Sequence, residues 1–141
     1  MTRAAVLLAL VMVALLSPAS ARAEHEVYYR YVVLGYVTDV QGKPVVHEGI
    51  ELVRDKTRFS YLADSDVEGF FVLVARLGDE SVGETLTLRI GRTSTQLTAR
   101  FDATNHIEVR GTRVDLEGAR FVERAASFPS TLARFLEAPA R

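Results

Sequence analysis

Three histidines, His25, His47 and His106, are the side chains of this chain best suited to acid–base or metal chemistry near neutral pH. No two of them form a spaced pair such as His-x-x-x-His, and the sequence contains no Gly-x-Ser-x-Gly nucleophile elbow. The absence of cysteine excludes thiolate metal sites and a cysteine nucleophile. The sequence therefore predicts no catalytic residue, no resident metal and no cofactor, and it indicates a protein that is not an enzyme.

The second group of side chains with chemical potential is acidic. Asp64, Asp66 and Glu68 stand at alternate positions before Gly69, as in the first half of a calcium-binding loop. The twelfth position of such a loop requires a bidentate glutamate, but Ala75 stands there, and the flanking segments have strand patterns. We therefore predict a β-turn in which an aspartate accepts backbone N–H bonds and the glycine adopts a positive φ. A weak calcium site is the alternative.

The third group is aromatic. Tyr28, Tyr29 and Tyr31 surround Arg30 at the start of the first predicted strand. Strand alternation places Tyr29 and Tyr31 on one face and Tyr28 on the other, so the rings either cap the end of the core or form an exposed platform. Tyr28 and Tyr29 are accordingly candidate residues for binding a glycan or a protein partner, and Tyr36 is a further stacking candidate.

Near the C-terminus, the i, i+3, i+4 spacing of Leu132, Phe135 and Leu136 predicts a short amphipathic helix. Ser130 is the predicted N-cap, and Pro139 ends the helix. Such a short helix is marginal in isolation and must dock, either on its own domain or on another protein. Leu132, Phe135 and Leu136 are therefore candidate partner-binding residues.

These groups depend on strands to position them. Residues 31–38 predict a strand buried on both faces, because both alternating sets of side chains are largely apolar. Asp39 is predicted to start a turn by accepting backbone N–H bonds, and Gly42 to supply the positive φ of a tight hairpin. Pro44 cannot donate a ladder hydrogen bond, so the second strand either begins after it, at Val45, or is an edge there.

Further strands are predicted wherever alternating or continuous apolar runs lie between turn signals. The segments 86–90 and 96–101 suit a hairpin, and Gly91 and Gly111 are interpreted as isolated turn glycines. About seven to nine short strands predict an all-β sandwich of about seven strands with a short C-terminal helix. The predicted segments are 49–54, 59–63, 70–77, 86–90, 93–101, 107–109 and 114–116.

Two turn motifs follow one another in the first half of the chain. Residues 35–45 have the pattern G-x-V-x-D-x-x-G-x-P-V, and residues 65–71 have the pattern S-D-x-x-G-x-F. Together they resemble the carboxypeptidase regulatory-like domain, a family with a transthyretin-like (prealbumin-like) β-sandwich fold, over roughly residues 34–90. The resemblance implies a transthyretin-like or Ig-like sandwich that acts as a structural or docking module, usually beside a larger protein.

Residues 1–23 are predicted to be a secretory signal peptide, with Arg3 before a short apolar core and small residues, Ala21 and Ala23, before the cleavage point. The apolar run is too short to span a membrane comfortably, and no cysteine follows it to carry a lipid anchor. An uncleaved anchor is the alternative. The sequence thus predicts a secreted or periplasmic protein with a sandwich domain over residues 24–116 and a helical tail over 117–141.

Two of the 17 basic residues, Arg3 and Arg22, lie in the leader, which has no acidic residue, so the rest carries 15 basic against 18 acidic side chains. This weakly acidic balance predicts no nucleic-acid partner and no anionic membrane surface. We expect an exported, non-catalytic interaction or scaffolding protein that holds another envelope or secreted protein through sandwich edges or the tail helix. A carbohydrate-binding module that uses the tyrosines is the alternative, and a small hydrolase is the third hypothesis.

Overall fold

The structure, a computed structural model, describes residues 27–139. The predicted leader, residues 1–23, and His25 lie outside the described residues. Within the described part, no helix is both long and apolar enough to cross a membrane. The strands are β1 (Tyr29–Thr38), β2 (Gly49–Arg54), β3 (Ser60–Asp64), β4 (Phe70–Leu77), β5 (Thr85–Ile90), β6 (Thr93–Thr98), β7 (Arg110–Glu117) and β8 (Arg120–Glu123), and the helix is α1 (Phe128–Glu137).

The strands form two four-stranded sheets that pack face to face as a small all-β sandwich, which confirms the predicted fold class. The first sheet has the strand order β4-β1-β7-β8, and the second has the order β3-β2-β5-β6. Neighbouring strands are antiparallel except β1 and β7, which pair in parallel. A parallel partner requires a long crossover, and here the chain builds the whole second sheet before β7 returns to β1.

The core lies between the two sheets, where alternate side chains of the strands meet. In β5, Leu86, Leu88 and Ile90 are buried while Thr85 and Arg89 are exposed, as their alternation predicted. The pairing of β5 with β6 confirms the predicted hairpin. The largest fully buried side chains are those of Tyr31, Phe71, Leu34, Ile50, Leu52, Leu73, Leu77, Leu86, Leu88, Ile90, Val33 and Val114.

Strand β1 is buried on both faces, as its two apolar sets predicted. Val33 and Val37 face the second sheet, whereas Val32 and Leu34 belong to a separate apolar cluster on the outer face of the first sheet. A β-strand exposes its outer face to water unless another element covers it. Here the covering element is α1, which contributes Phe128 to the outer cluster.

Both turns predicted from the paired motifs have the predicted geometry. The Asp39 carboxylate accepts hydrogen bonds from the backbone N–H groups of Gln41 and Lys43, at 2.8 and 2.9 Å. Gly42 adopts a φ of 81°, and Gly69 a φ of 76°. At Gly69 an added Cβ would also lie 2.4 Å from the Val37 carbonyl oxygen, so glycine is required there on two counts.

The prediction of a strand directly after Pro44 is wrong. Residues 45–48 form no strand; Pro44 makes a single isolated bridge to Thr38, and β2 begins only at Gly49. This loop is held instead by Ser65, whose hydroxyl donates to the Val45 carbonyl at 2.7 Å. Val45 and Val46 therefore lie in a loop that is hydrogen-bonded to Ser65. The local sequence does not indicate this contact.

Three further predictions about the last third of the described chain are corrected. Residues 107–109 are loop, not strand, with Ile107 95% exposed, because the Asn105 side chain accepts the N–H groups of residues 107 and 108. Gly111 lies inside strand β7 and not in a turn. Strand β8, which pairs with β7, was not predicted and lies in the segment assigned to the tail.

Burial of Tyr31 predicts a loss of stability in alkali. Burial raises the pKa of this phenol from 10.0 to about 12, so above pH 10 the unfolded chain releases a proton that the folded protein retains. The stabilisation is complete below pH 10 and is lost as the pH rises towards 12, by up to about 3 kcal/mol. Urea unfolding between pH 9 and 12 should show this decline in the native chain and a flatter curve in Tyr31→Phe; parallel curves would contradict it.

Candidate functional site

Helix α1 lies on the outer face of the first sheet. Phe128 is 4% exposed and packs with Leu132 against the apolar side chains of β1 and β4. Gly111 makes room for this contact, because an added Cβ would lie 2.6 Å from the Phe128 ring. The helix starts earlier than predicted, with Ser127 as the N-cap residue instead of Ser130, and it ends at Glu137. The sequence left open where the helix docks, and the first half of α1 docks on its own domain.

The second half of α1 borders a groove of about 330 Å³ between the helix and the β3–β4 turn. This volume lies at the lower end of the range of small-molecule pockets and also suits a large side chain of a protein partner. The groove combines aromatic rings with charged side chains of both signs. Its lining residues are Tyr36, Asp66, Glu68, Phe70, Thr131, Arg134, Phe135, Ala138 and Pro139.

The aromatic floor of the groove is a row of three rings. Phe70 lies 5.0 Å from Tyr36 and 5.5 Å from Phe135, measured between ring centroids. Phe70 is buried, whereas Phe135 is 45% exposed and the neighbouring Leu136 is 69% exposed. Tilted aromatic pairs at these distances attract beyond their buried area, which fixes the rings in place. The three rings therefore connect the buried surface of the first sheet with the exposed side chains of Phe135 and Leu136.

The β3–β4 turn forms the opposite wall of the groove. The Asp66 carboxylate accepts the N–H groups of Glu68 and Phe70, at 2.8 and 2.9 Å. With the positive φ of Gly69, this is the predicted turn. In the described part of the chain, no group of three or more histidine and acidic side chains is placed to hold a metal ion. The hydrogen bonds of Asp66 thus give this member of the alternating acidic pattern a structural role in the turn.

A charged network holds α1 against the first sheet. Asp115 is 5% exposed, and its carboxylate accepts hydrogen bonds from Arg113 at 2.9 and 3.1 Å and from Arg124. The same carboxylate accepts the backbone N–H of Tyr36 at 3.0 Å, where the β1–β7 ladder is interrupted. Arg113 also donates to the Thr131 hydroxyl of α1 at 3.1 Å. Strands β1 and β7 therefore share one buried acceptor, and α1 is joined to it through Arg113.

A second polar cluster lies where the β4–β5 and β6–β7 loops meet the start of β1. The Arg110 guanidinium lies 4.6 Å from the ring centroid of Tyr29 and 4.3 Å from that of Phe101. His106 stacks on Tyr29 with ring centroids 4.5 Å apart, and its Nε2 lies 2.8 Å from an Asp79 oxygen. A hydrogen bond from Arg110 lowers the pKa of Asp79 below its usual value. These contacts tie the β4–β5 loop, the β6–β7 loop and the start of β1 together.

The structure does not bring the predicted tyrosines together. Tyr36 lies seven positions after Tyr29 along β1, about 23 Å away at the usual rise of a strand. Tyr29 packs in the Arg110 cluster, Tyr31 is core, and Tyr28 is 46% exposed just before β1. Of the three stacking candidates, only Tyr36 lines the groove.

The predicted helix residues occupy different environments. Leu132 packs on the sheet, whereas Phe135 lines the groove and Leu136 is largely exposed. Sequence reasoning missed Phe70 and Arg134 as groove residues. The sequence predicts only that Phe70 belongs to a buried strand, and no local pattern indicates that its ring faces a distant helix.

The remaining histidines lie away from the groove. His47 is exposed in the β1–β2 loop, and His106 belongs to the Arg110 cluster. Comparison with known proteins adds no assignment: no protein-family model matches the chain, and no curated protein is significantly similar in sequence.

Proposed function

We propose that this chain is an exported, non-catalytic module that binds another envelope or extracellular protein through the end of α1 and the adjoining groove. The observation that carries the proposal is the half-docked helix. Its first half packs on the sheet through Phe128, whereas Phe135 and Leu136 remain 45% and 69% exposed. Protein partners use amphipathic helix faces and aromatic anchors of this kind.

Charge around the groove supports recognition of a polypeptide. Arg134 stands on the helix side, and Asp66 and Glu68 stand on the turn side of an aromatic floor. An apolar centre with a charged rim is the usual composition of a protein interface. The resemblance to a domain that usually accompanies a larger protein points in the same direction, with the partner supplied by a separate chain.

Leu136→Glu should abolish association while leaving the fold intact. Leu136 is 69% exposed, so a charge there costs little folding stability but would have to be buried, unpaired, in an interface. The measurement is crosslinking capture from the native host's envelope with tagged full chain, followed by mass spectrometry. We expect one protein in stoichiometric amount with the native bait and none of it with the variant.

Ile107→Glu is the matched control, because Ile107 is 95% exposed in the β6–β7 loop and lies outside the groove. It should capture the same protein as the native bait, and both variants should melt within a few degrees of it. Equal capture by all three baits would show that the end of α1 is not part of the interface. Capture of nothing by any bait would contradict the interaction module itself.

Export is tested separately. If the proposed signal peptide is cleaved after Ala23, the mature protein begins at Glu24. Intact-mass analysis of the protein from the periplasmic and culture fractions of its host should give the mass of residues 24–141. A full-length mass in the cytosolic fraction would contradict this part of the proposal.

Carbohydrate binding is the second candidate, favoured by one observation. Tyr36 lines the groove beside Asp66 and Glu68, and an aromatic ring next to carboxylates can stack on and hydrogen-bond to a sugar. The sequence lacks tryptophan, an enriched anchor at binding sites, which weakens this candidate. A glycan array with the native chain and Tyr36→Ala separates the two: sugar binding lost in the variant would favour carbohydrate over a protein partner.

A further inference from the structure

Strand β6 forms one edge of the second sheet, and among residues 27–139 it pairs with β5 alone. Directly after β6, Ala99 donates its N–H to the Glu84 carbonyl at 2.8 Å, which extends the β5–β6 ladder. Backbone groups of successive strand residues point to opposite sides. The odd-numbered residues of β6 therefore pair with β5, and the even-numbered residues turn their N–H and C=O groups towards the open edge.

Strand β4, at one edge of the first sheet, has its outward backbone groups partly occupied. Phe70 donates its N–H to the Asp66 carboxylate, and its carbonyl accepts the Asp66 N–H at 2.9 Å. Towards the other end of β4, Arg76 donates its N–H to the Tyr61 hydroxyl at 3.1 Å. Side-chain and turn contacts thus protect this edge at both ends.

The edges at β8 and β3 carry the usual protection against strand addition. Strand β8 has four residues, and charged Arg120 and Glu123 stand at its two ends. Strand β3 has five residues and ends in the exposed, charged Asp64. Short length and charge are devices by which proteins discourage another strand from pairing.

Strand β6, with six residues, is longer than β3 and β8, and no charged residue lies within it. Its outward residues, Ser94, Gln96 and Thr98, are uncharged, and the strand contains no proline. Arginines flank it on both sides: Arg92 precedes it and Arg100 follows it, both exposed and neither in an ion pair within the described part of the chain. Their backbone positions are about 26 Å apart if the chain between them is extended.

We propose that the β6 edge accepts an extended segment of another protein as an added strand, uncharged over its middle and carrying a carboxylate at each end. The open backbone groups alternate along the edge as an extended main chain requires for pairing, which is the basis of strand addition. The carboxylates complement Arg92 and Arg100, so the site should select segments that carry a negative charge at both ends. A second copy of this chain fits less well, because antiparallel pairing centred on Gln96 opposes the two arginines.

This proposal uses no residue of the α1 groove, so it can fail while the proposed function stands, and the reverse also holds. The probe is a capped nine-residue peptide with aspartate at both ends and alternating threonine and valine between them, labelled with fluorescein. Fluorescence anisotropy with the full chain should show saturable binding that weakens as salt screens the end charges. A matched peptide with lysine at both ends should bind at least about tenfold more weakly.

Gln96→Pro tests the backbone contact. The N–H of Gln96 faces the open edge, so proline removes a donor for the added strand and leaves the β5 ladder intact. Gln96→Ala is the control, because it keeps this donor. We expect the proline variant to bind the aspartate peptide at least about tenfold more weakly than the alanine variant. Equal affinities of two folded variants would overturn the proposal.

The double variant Arg92→Glu, Arg100→Glu tests the flanks without touching the strand. It should reverse the preference, so that the lysine-ended peptide binds more tightly than the aspartate-ended one. An unchanged preference, or no saturation with either peptide below about 1 mM, would overturn the proposal. So would a concentration-dependent dimer in analytical ultracentrifugation that disappears in Gln96→Pro, because the edge would then belong to a second copy.

Discussion

Asp115→Ala should lower the free energy of unfolding by about 3 kcal/mol, a large share of the stability of a domain this size. The substitution leaves the guanidinium groups of Arg113 and Arg124 without their shared carboxylate and the Tyr36 N–H without its acceptor. A buried donor that loses its partner bears the full cost of its desolvation. The arginines are 23% and 38% exposed, so water recovers part of this loss.

Urea denaturation at pH 7 measures this effect, and Glu51→Ala provides the matched control. Glu51 pairs with Arg89 at 3.1 Å on the solvent-exposed face of the second sheet, and surface pairs contribute about 0–1 kcal/mol. Because Arg113 also holds Thr131, the Asp115 variant should in addition loosen α1, seen as faster amide exchange over residues 128–137. A loss no greater than that of the control would contradict the buried network.

Local chemistry made some parts of this fold predictable. Asp39 and Asp66 accept hydrogen bonds from residues two positions further along the chain, and Gly42 and Gly69 adopt the positive φ of the same turns. The predictions of both turns were therefore correct in detail. The apolar character of both faces of β1 required a cover on each, and α1 supplies the outer one. Predictions of this kind depend on short-range geometry or on the simple requirement that apolar surface be buried.

Other parts depend on contacts that no local pattern encodes. Strand β8 is short and bounded by charges, and it forms because β7 lies beside it. The parallel pairing of β1 with β7 joins segments about eighty residues apart. Even Ile107 and Val109, an alternating apolar pair, lie in a loop because Asn105 and Asp102 cap it. In the first two cases a partner strand decides the outcome, and in the third a local side-chain cap outweighs the alternation.

The candidate site was predictable only in its parts. The helix and its exposed residues, Phe135 and Leu136, followed from periodicity, but the groove arises from Phe70 and Tyr36 on two other strands. The open edge of β6 could not be inferred at all, since which strand ends a sheet is decided by topology. Strand order thus decides which surfaces of this sandwich are left uncovered for a binding site.

Gly35→Ala should be the most damaging of the glycine-to-alanine substitutions in the described chain, with an expected loss of about 4 kcal/mol or failure to fold. An added Cβ would lie 1.8 Å from the carbonyl oxygen of Val114 and 2.6 Å from its carbon, and both are backbone atoms of the adjacent strand. A flexible side chain could move aside, but backbone in the centre of the first sheet cannot without breaking the β1–β7 pairing. The same close approach places the Asp115 carboxylate within hydrogen-bond distance of the Tyr36 N–H. Gly35 and Asp115 therefore both belong to the interruption of the β1–β7 ladder.

Gly49→Ala is the matched control, because Gly49 also lies in a strand, at the start of β2, yet nothing would lie within 4 Å of its new Cβ. Its substitution should change the free energy of unfolding by less than about 1 kcal/mol, and a small gain is expected from the stiffer unfolded chain. Soluble yield and urea denaturation of both variants, expressed side by side, provide the comparison. If Gly35→Ala folds with the stability of the control, β1 and β7 do not approach each other as closely as the structure places them, and the Asp115 network must be arranged differently.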